Sequence, residues 1–514
     1  MTTIAPFAAG SYATSRSTSQ LLALKSQLND LTTQLGTGLT AQSYGGLGTG
    51  RSAALSAQAS ISALDGYSAV IDTAQTRAKL ATTSMTQVVT VASNAAAALQ
   101  NGLQSSPAGS QAVKATALNN FSAAIDALNQ SDGIIFLFGG RDGTTAPVLD
   151  TNTILYGTVD ANGNTLAGLK TLVDDQVKAD LGTGLNGRLT QTTTGTAVTL
   201  TEDTTAQAVS PAGPFGFTIQ SVGSSNPAAL APVTNLAAPA SSTVTVAAQP
   251  SDGDTLTFTL GMPGGGSTTV TLTASKSTGA VASGTFSIGA DVATTTANLS
   301  AALSSALQNT AAPALSANAT ARASQNFFTG SAKGNVVPER ITFTGSVPSY
   351  TPGTATNTVL WYRGDDSGGD PRATQTIQVG SSSSVQLGVR ANEAPIRSVL
   401  AGLATVALGI PANSATSSAY AAVAAQAAPL LAAGNTGSSV QDIVTDLSLA
   451  SARMSSAAST NTSQKSTLQD TVDGIEQAST EEVATKLLEL QNRLQASYQI
   501  TASLSKLSLT NYLS

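Results

Sequence analysis

The 514-residue chain contains neither histidine nor cysteine. That removes imidazole and thiolate metal ligands, disulfides, and every Ser–His–Asp or Cys–His mechanism. Carboxylates, lysine, tyrosine, or serine paired with lysine remain for chemistry. The acids that lie close together are Asp365, Asp366 and Asp370, then Asp252 and Asp254, then Glu481 and Glu482. The first three would suit a hard cation as an oxygen cluster, but their setting, WYRGDDSGGD, reads first as a solvated turn. Asp252-Gly253-Asp254 also reads as a turn. Glu481 and Glu482 suit a helix N-terminus, where the dipole favours negative charge. Arg363-Gly364-Asp365 reads as a turn at a strand end rather than an adhesion ligand. Trp361, the only tryptophan, reads as a core anchor rather than a sugar platform. No carboxylate pair has supporting residues around it, so neither enzymatic activity nor a cofactor or metal is expected.

The composition points the same way. Charged residues are 10% of the chain, against about 25% in typical domains. Ala, Thr, Ser, Gly and Gln take their place. A net charge of −6 builds no field that would hold nucleic acid or an anionic membrane. The N-terminal MTTIAPFAAG lacks the basic and apolar regions of a cleaved signal peptide. The most apolar stretch, 421–433, is mostly alanine and too short to span a bilayer.

These residues must be positioned by the elements around them. Leu21, Leu24, Leu28, Leu31 and Leu35 are spaced 3, 4, 3, 4, which places them on one narrow stripe of a helix over 15–36. Glycines from Gly36 to Gly50 end it. A long helix is expected from Arg51 to Leu103, a turn at Pro107 and Gly109, and a third helix over 112–130. Residues 132–148 read as a short apolar strand or tight segment closed by Gly139 and Gly140. The centre is dominated by Thr, Val, Gly and Ser. TVTV (243–246), TLTFTL (255–260) and TVTLT (269–273) alternate as antiparallel strands do, and one helical piece is expected between Asp291 and Gln308. Helices return over 393–407, 414–433 and 438–456. The last begins at a capping box, Ser479-Thr480-Glu481-Glu482, and carries Val483, Leu487, Leu490, Leu494, Leu504 and Leu507. The expected class is a multidomain α+β protein. The two terminal seams are incomplete faces at opposite ends of the chain, and the simplest way to bury both is against each other.

Three tracts carry a family resemblance. They are Phe136–Val148 (FLFGGRDGTTAPV, with Phe136, Phe138, Gly139 and Gly140), Trp361–Asp366 (WYRGDD, with Trp361, Arg363 and Asp365) together with Asn392-Glu393, and Leu507–Leu513 (LSLTNYL). With the terminal helices, this ordered set resembles the flagellin superfamily, and within it the hook–filament junction proteins, the third hook-associated protein, more closely than filament flagellins. The resemblance covers 1–150 and 355–514, and no motif covers 185–335. It implies a terminal helical core domain from 1–45 and 475–514 that forms an inner tube as a paired coiled coil. It also implies a helical-bundle domain with β elements from 46–184 and 336–474, and an inserted β-rich outer domain over 185–335. The implied partners are copies of the chain in a helical or ring assembly, neighbouring junction and filament proteins, and an export chaperone on the helix from Ser479. The implied location is the extracellular flagellum, reached by type III export. Filament flagellin is the alternative inside this family, and a secreted surface-binding module or adhesin outside it.

Overall fold

The computed structural model describes residues 6–103, 107–203, 205, 214–277, 282–411, 417–432 and 439–512; side chains at 6–11, 13, 14, 107–110 and 504–512 lie outside the description. It is α+β, with long terminal helices and, in the middle of the sequence, a β region. In chain order the elements are α1 (Pro6–Thr37), α2 (Arg51–Gly102), α3 (Pro107–Leu128), α4 (Thr151–Tyr156), β1 (Thr158–Val159), β2 (Thr165–Leu166) and α5 (Leu169–Leu181). The β region holds β3 (Leu189–Thr194), β4 (Ala197–Glu202), β5 (Thr218–Ser224), β6 (Leu230–Asn235), β7 (Ser241–Val246), β8 (Thr255–Gly261), β9 (Ser267–Ser275) and β10 (Thr285–Ser287). After it come α6 (Val292–Phe327), β11 (Arg340–Thr344), β12 (Val347–Thr351), β13 (Thr376–Gln378), β14 (Ser384–Gln386), α7 (Ala394–Gly409), α8 (Ser417–Leu431), α9 (Val440–Glu476) and α10 (Thr480–Tyr512).

The chain divides into two compact units, one of Met1–Thr73, Gln378–Ser384 and Met454–Ser514, the other of Ala74–Ile377 and Val385–Arg453. In the first unit the segment after α1 meets the segment before α10. Thr40 N donates to Glu476 O at 2.7 Å and Ala478 N to Gly38 O at 2.9 Å. Gly38 (φ +72°) supplies the left-handed residue that ends α1. At the start of α10 the Glu482 amide donates to Ser479 Oγ at 3.4 Å, the forward bond of the expected capping box. From this junction α1 and α10 run in opposite directions and lie in contact. Ala57, Ile61 and Val472 form a small apolar cluster with Leu468 against it.

The second unit contains two four-stranded sheets, ordered β3-β4-β7-β6 and β10-β9-β8-β5. All their pairs are antiparallel except β9–β10. Alternation sorts each strand into two faces. Val198 and Leu200, Val244 and Val246, Leu256, Phe258 and Leu260, and Val270 and Leu272 point inward, into one core with Leu299, Leu303, Leu307 and Leu315 of α6. The threonines between them face outward, where Thr199 and Thr243 share a hydrogen bond of 2.9 Å. α6 also touches α5, α7 and α8, and α7 touches α3, so the sheets rest on a helical layer.

Several elements differ from the sequence expectation. The helix expected to stop at Gln308 runs to Phe327 through Pro313. The Asn309 carbonyl loses its helical donor there, but Asn309 is exposed, where water can take that bond. The helix expected to end at Ser456 continues to Glu476; nothing before Gly474 interrupts it, and Asn461 anchors it by donating to Val379 O at 3.0 Å. Pro107 and Gly109 open α3 rather than forming a turn, a position proline tolerates because its missing N–H has no helical acceptor there. Residues 132–148 take the second of their two expected forms, a tight segment of turns and bends, and single bridges such as Val148–Tyr362 join it to 361–366.

Asp180 is fully buried. Its carboxylate accepts from Gln176 Nε2 at 3.1 Å and Gly216 N at 3.2 Å, with Arg322 Nη1 at 3.3 Å. Burial raises its pKa to about 6 against the opposing pull of Arg322. A raised folded-state pKa means that the folded chain holds this proton more tightly than the unfolded chain. The contribution of Asp180 is therefore most favourable below its ordinary value of 3.8 and is lost as pH rises through about 6. Over that window the loss is ~3 kcal/mol. Asp180→Asn is expected to lack this slope. Urea midpoints of the wild type and variant from pH 4 to 7.5 check it, and parallel curves would contradict it.

Candidate functional site

The sequence motifs converge in the second unit. Asp132 starts the first tract. Its Oδ1 accepts from the amides of Ile134 and Ile135, both at 2.8 Å, and its Oδ2 meets Arg77 Nε at 2.6 Å. Burial would raise this carboxyl, but the amide bonds, Ile135 first, and Arg77 together hold it at about 2. The turn so tied delivers Phe136, half-buried, and Phe138, fully buried. The next residue meets two other segments. Gly139 O accepts from Asp365 N at 2.8 Å, and Gly139 forms a β-bridge with Arg390. Ala391 N donates to Phe138 O at 2.9 Å. A Cβ at Gly139 would lie 1.9 Å from Asp142 O, a backbone atom that cannot move aside. Gly140 has φ +65°, a conformation glycine adopts without steric cost.

The second tract is held from both sides. Leu149 N donates to Trp361 O at 3.0 Å, and Arg363 N to Pro147 O at 2.8 Å. Trp361 has no exposed surface. Its indole N–H donates to Phe328 O at 3.1 Å and its ring stands edge-on to Phe328 at 5.2 Å. Tyr362 is buried too, donating its hydroxyl to Asp365 O at 3.0 Å; burial pushes its phenol pKa up. Arg363 is exposed. Asn392 Nδ2 donates to Asp366 Oδ1 at 2.7 Å, which closes the third side. Glu393 accepts from Arg390 N at 2.9 Å and from Arg372 Nη2. Burial raises the Glu393 pKa, with Arg372 pulling against it.

The three neighbouring aspartates do not share a centre. Asp365 accepts from Ser367 N, Asp366 from Asn392, and Asp370 from Arg372 N. Among the described residues no group of three or more acids is arranged to hold a metal ion. Several ion pairs join positions far apart in sequence. Asp65 pairs with Lys465, Asp142 with Lys333, Glu393 with Arg372, and Arg77 with Asp132.

In the first unit the seam residues are unevenly covered. Leu21, Leu24, Leu28 and Leu31 are half-buried, and Leu35 is exposed. Val483, Leu490 and Leu494 are buried and Leu487 is half-buried. Leu504 and Leu507 lie on α10, but their side chains are outside the described residues, as is most of LSLTNYL. Off the seam, Leu22 is 64% exposed, Leu488 62% and Ile500 60%. The two helices thus cover one stripe of each other and leave Leu22, Leu488 and Ile500 open.

Residues that the sequence does not single out matter as much. Asn129 brackets Val148 with two bonds, Val148 N to its Oδ1 at 3.0 Å and its Nδ2 to Val148 O at 2.9 Å. Arg372 reaches Glu393 across 21 positions. Neither sits in a pattern that marks it. Among the described residues no helix is long and apolar enough to cross a membrane. Neither known family models nor curated proteins match this chain.

Proposed function

We propose that this chain is a structural subunit of the bacterial flagellum rather than an enzyme. Its role is that of the hook–filament junction protein, which self-assembles through its terminal helices outside the cell. The observation that carries this reading is the meeting of FLFGG, WYRGDD and the Asn392-Glu393 pair in one hydrogen-bonded node. Tracts more than 200 positions apart in sequence belong to one structural feature, so the resemblance rests on a constellation rather than on three short strings.

The terminal helices supply the assembly chemistry. In this reading α1 and α10 form a coiled-coil pair whose open side chains Leu22, Leu488 and Ile500 are buried against neighbouring copies. Each leucine or isoleucine so buried contributes about 1.5–3 kcal/mol. Low charge on these helices keeps repulsion between like subunits small, and alanine and serine let backbones approach closely. Junction proteins already in place, filament subunits and an export chaperone are the partners.

Filament-forming flagellin is the second reading. The breadth of the central β region, eight strands among the described residues and a 36-residue helix, favours it. Electron microscopy of the purified protein, alone and with hook or filament seeds, separates the two. Short additions at hook ends are the expected result. Long filaments from this chain alone would make it a filament subunit, and no association under any condition would remove the flagellar reading.

A further inference from the structure

Asparagine is followed by glycine at three places, Asn101-Gly102, Asn162-Gly163 and Asn186-Gly187. In this pair the side-chain amide is open to attack by the next main-chain nitrogen, because glycine has no side chain in the way and bends freely. The fold treats the three sites differently. Asn186-Gly187 is locked. Asn186 Nδ2 donates to Leu189 O at 2.6 Å, and Gly187 N to Leu181 O at 3.2 Å. Gly187 is buried, and a Cβ on it would lie 2.3 Å from the Phe217 ring. Asn101-Gly102 closes α2. A Cβ on Gly102 would lie 2.1 Å from the Tyr420 hydroxyl, which is itself bonded to Leu99 O at 3.0 Å. Helical backbone there keeps the following amide away from the side-chain carbonyl.

Asn162-Gly163 sits at the tip of the β1–β2 hairpin, and both residues are exposed. The main-chain N of Asn162 donates to Asp160 Oδ1 at 2.9 Å, but its side chain has no bond among the described residues. Gly163 has φ +83°, and its N donates to Asp160 O at 3.0 Å. That bond must open before the nitrogen can attack. The strands on either side are two residues long. A hairpin of that size is marginal by itself, so its tip opens at a cost far below that of a packed helix end or a buried joint.

We propose that Asn162 is a site of spontaneous deamidation, and that the fold protects the other two Asn-Gly pairs. Gly163 N loses its proton to solvent base and bonds to Asn162 Cγ. The bond from Cγ to Nδ2 breaks, and ammonia leaves with a proton from water. Water then opens the cyclic imide. Breaking the bond from Gly163 N to Cγ gives aspartate, and breaking the bond from Gly163 N to the main-chain carbonyl carbon gives isoaspartate. Both products carry a carboxylate where a neutral amide stood. Isoaspartate also lengthens the main chain by one carbon between Asp160 and Asn164. Asp160 Oδ1 accepts from the amides of both Asn162 and Asn164, a bracket that the longer chain no longer fits. The proposal does not depend on the flagellar reading.

The test incubates the full chain at mildly alkaline pH, folded in buffer and unfolded in guanidinium chloride, and maps its peptides by mass spectrometry over time. In the folded chain Asn162 is expected to convert at least tenfold faster than Asn101 or Asn186, a barrier difference of about 1.4 kcal/mol. In guanidinium the three sites converge, which assigns the selectivity to the fold. An isoaspartyl methyltransferase labels the Asn162 peptide, and Asn162→Gln, whose ring closure is slow, removes that label. Folded chain that keeps Asn162 intact overturns the proposal, whether or not guanidinium releases it. So does an Asn101 or Asn186 that keeps pace with Asn162 in the folded chain. Aspartate without isoaspartate at 162 would mean direct hydrolysis and would overturn the cyclic route.

Discussion

Replacing Trp361 with alanine is expected to destabilise the second unit by about 3–5 kcal/mol, the usual cost of removing a large buried aromatic. Two losses combine. The indole fills a site with no exposed surface at the end of α6 and packs edge-on against Phe328. Its N–H is the donor to Phe328 O, and a buried carbonyl left without a partner adds its own desolvation penalty. Trp361→Phe keeps an aromatic edge for Phe328 and forfeits mainly the hydrogen bond and some volume, so it should cost about 1–2 kcal/mol. Urea unfolding followed by far-ultraviolet circular dichroism reads both variants, since the only tryptophan is gone. Tyr156→Ala, at a 56% exposed position, provides the control and should change little. A Trp361→Ala variant as stable as that control would mean that the aromatic cluster does not hold the node.

The same node shows which parts of the structure can be read from sequence. Period-two alternation in TVTV, TLTFTL and TVTLT marks strands because one face of each is buried in a single core. The capping box at Ser479 marks a helix start because its bonds are local. Helix length is harder. α6 beyond Gln308 is built largely from Ala, Ser, Thr and Asn with little apolar periodicity, and Pro313 looks like a stop; α9 beyond Ser456 is polar until Leu468, Val472 and Ile475. Tertiary packing of Ala311, Leu315 and Phe327 overrides that local signal. The node itself is hidden for another reason. The tracts are visible as strings, but the Gly139–Asp365 and Phe138–Ala391 bonds are backbone contacts that leave no side-chain signature. Arg372 and Asn129 act through neighbours far away in sequence, so spacing carries no trace of them. The terminal seams are intermediate. Periodicity identifies the stripe, but not which leucines α1 and α10 cover in each other and which they leave open.

That division yields the second large effect. Changing Leu22, Leu488 and Ile500 together to serine is expected to leave the isolated chain about as stable as before, because all three are 60% exposed or more. The same triple change is expected to abolish assembly. If each side chain is buried at about 1.5–3 kcal/mol against a neighbouring copy, losing three weakens association by at least 1,000-fold on a scale of roughly 1.4 kcal/mol per decade. The paired experiment changes Leu490 and Leu494, which are buried within the unit itself. Leu490→Ser with Leu494→Ser should separate α10 from α1, lower the melting temperature, and stop assembly as a consequence of lost packing. The two variants therefore fail for different reasons, and only the first fails with its fold intact. Circular dichroism melts and sedimentation of seeded samples distinguish them. Were the exposed triple variant to assemble as the wild type does, these three side chains would have no role between subunits. The terminal helices would then be an intramolecular pair alone, and self-assembly would have to be sought on another surface of the chain.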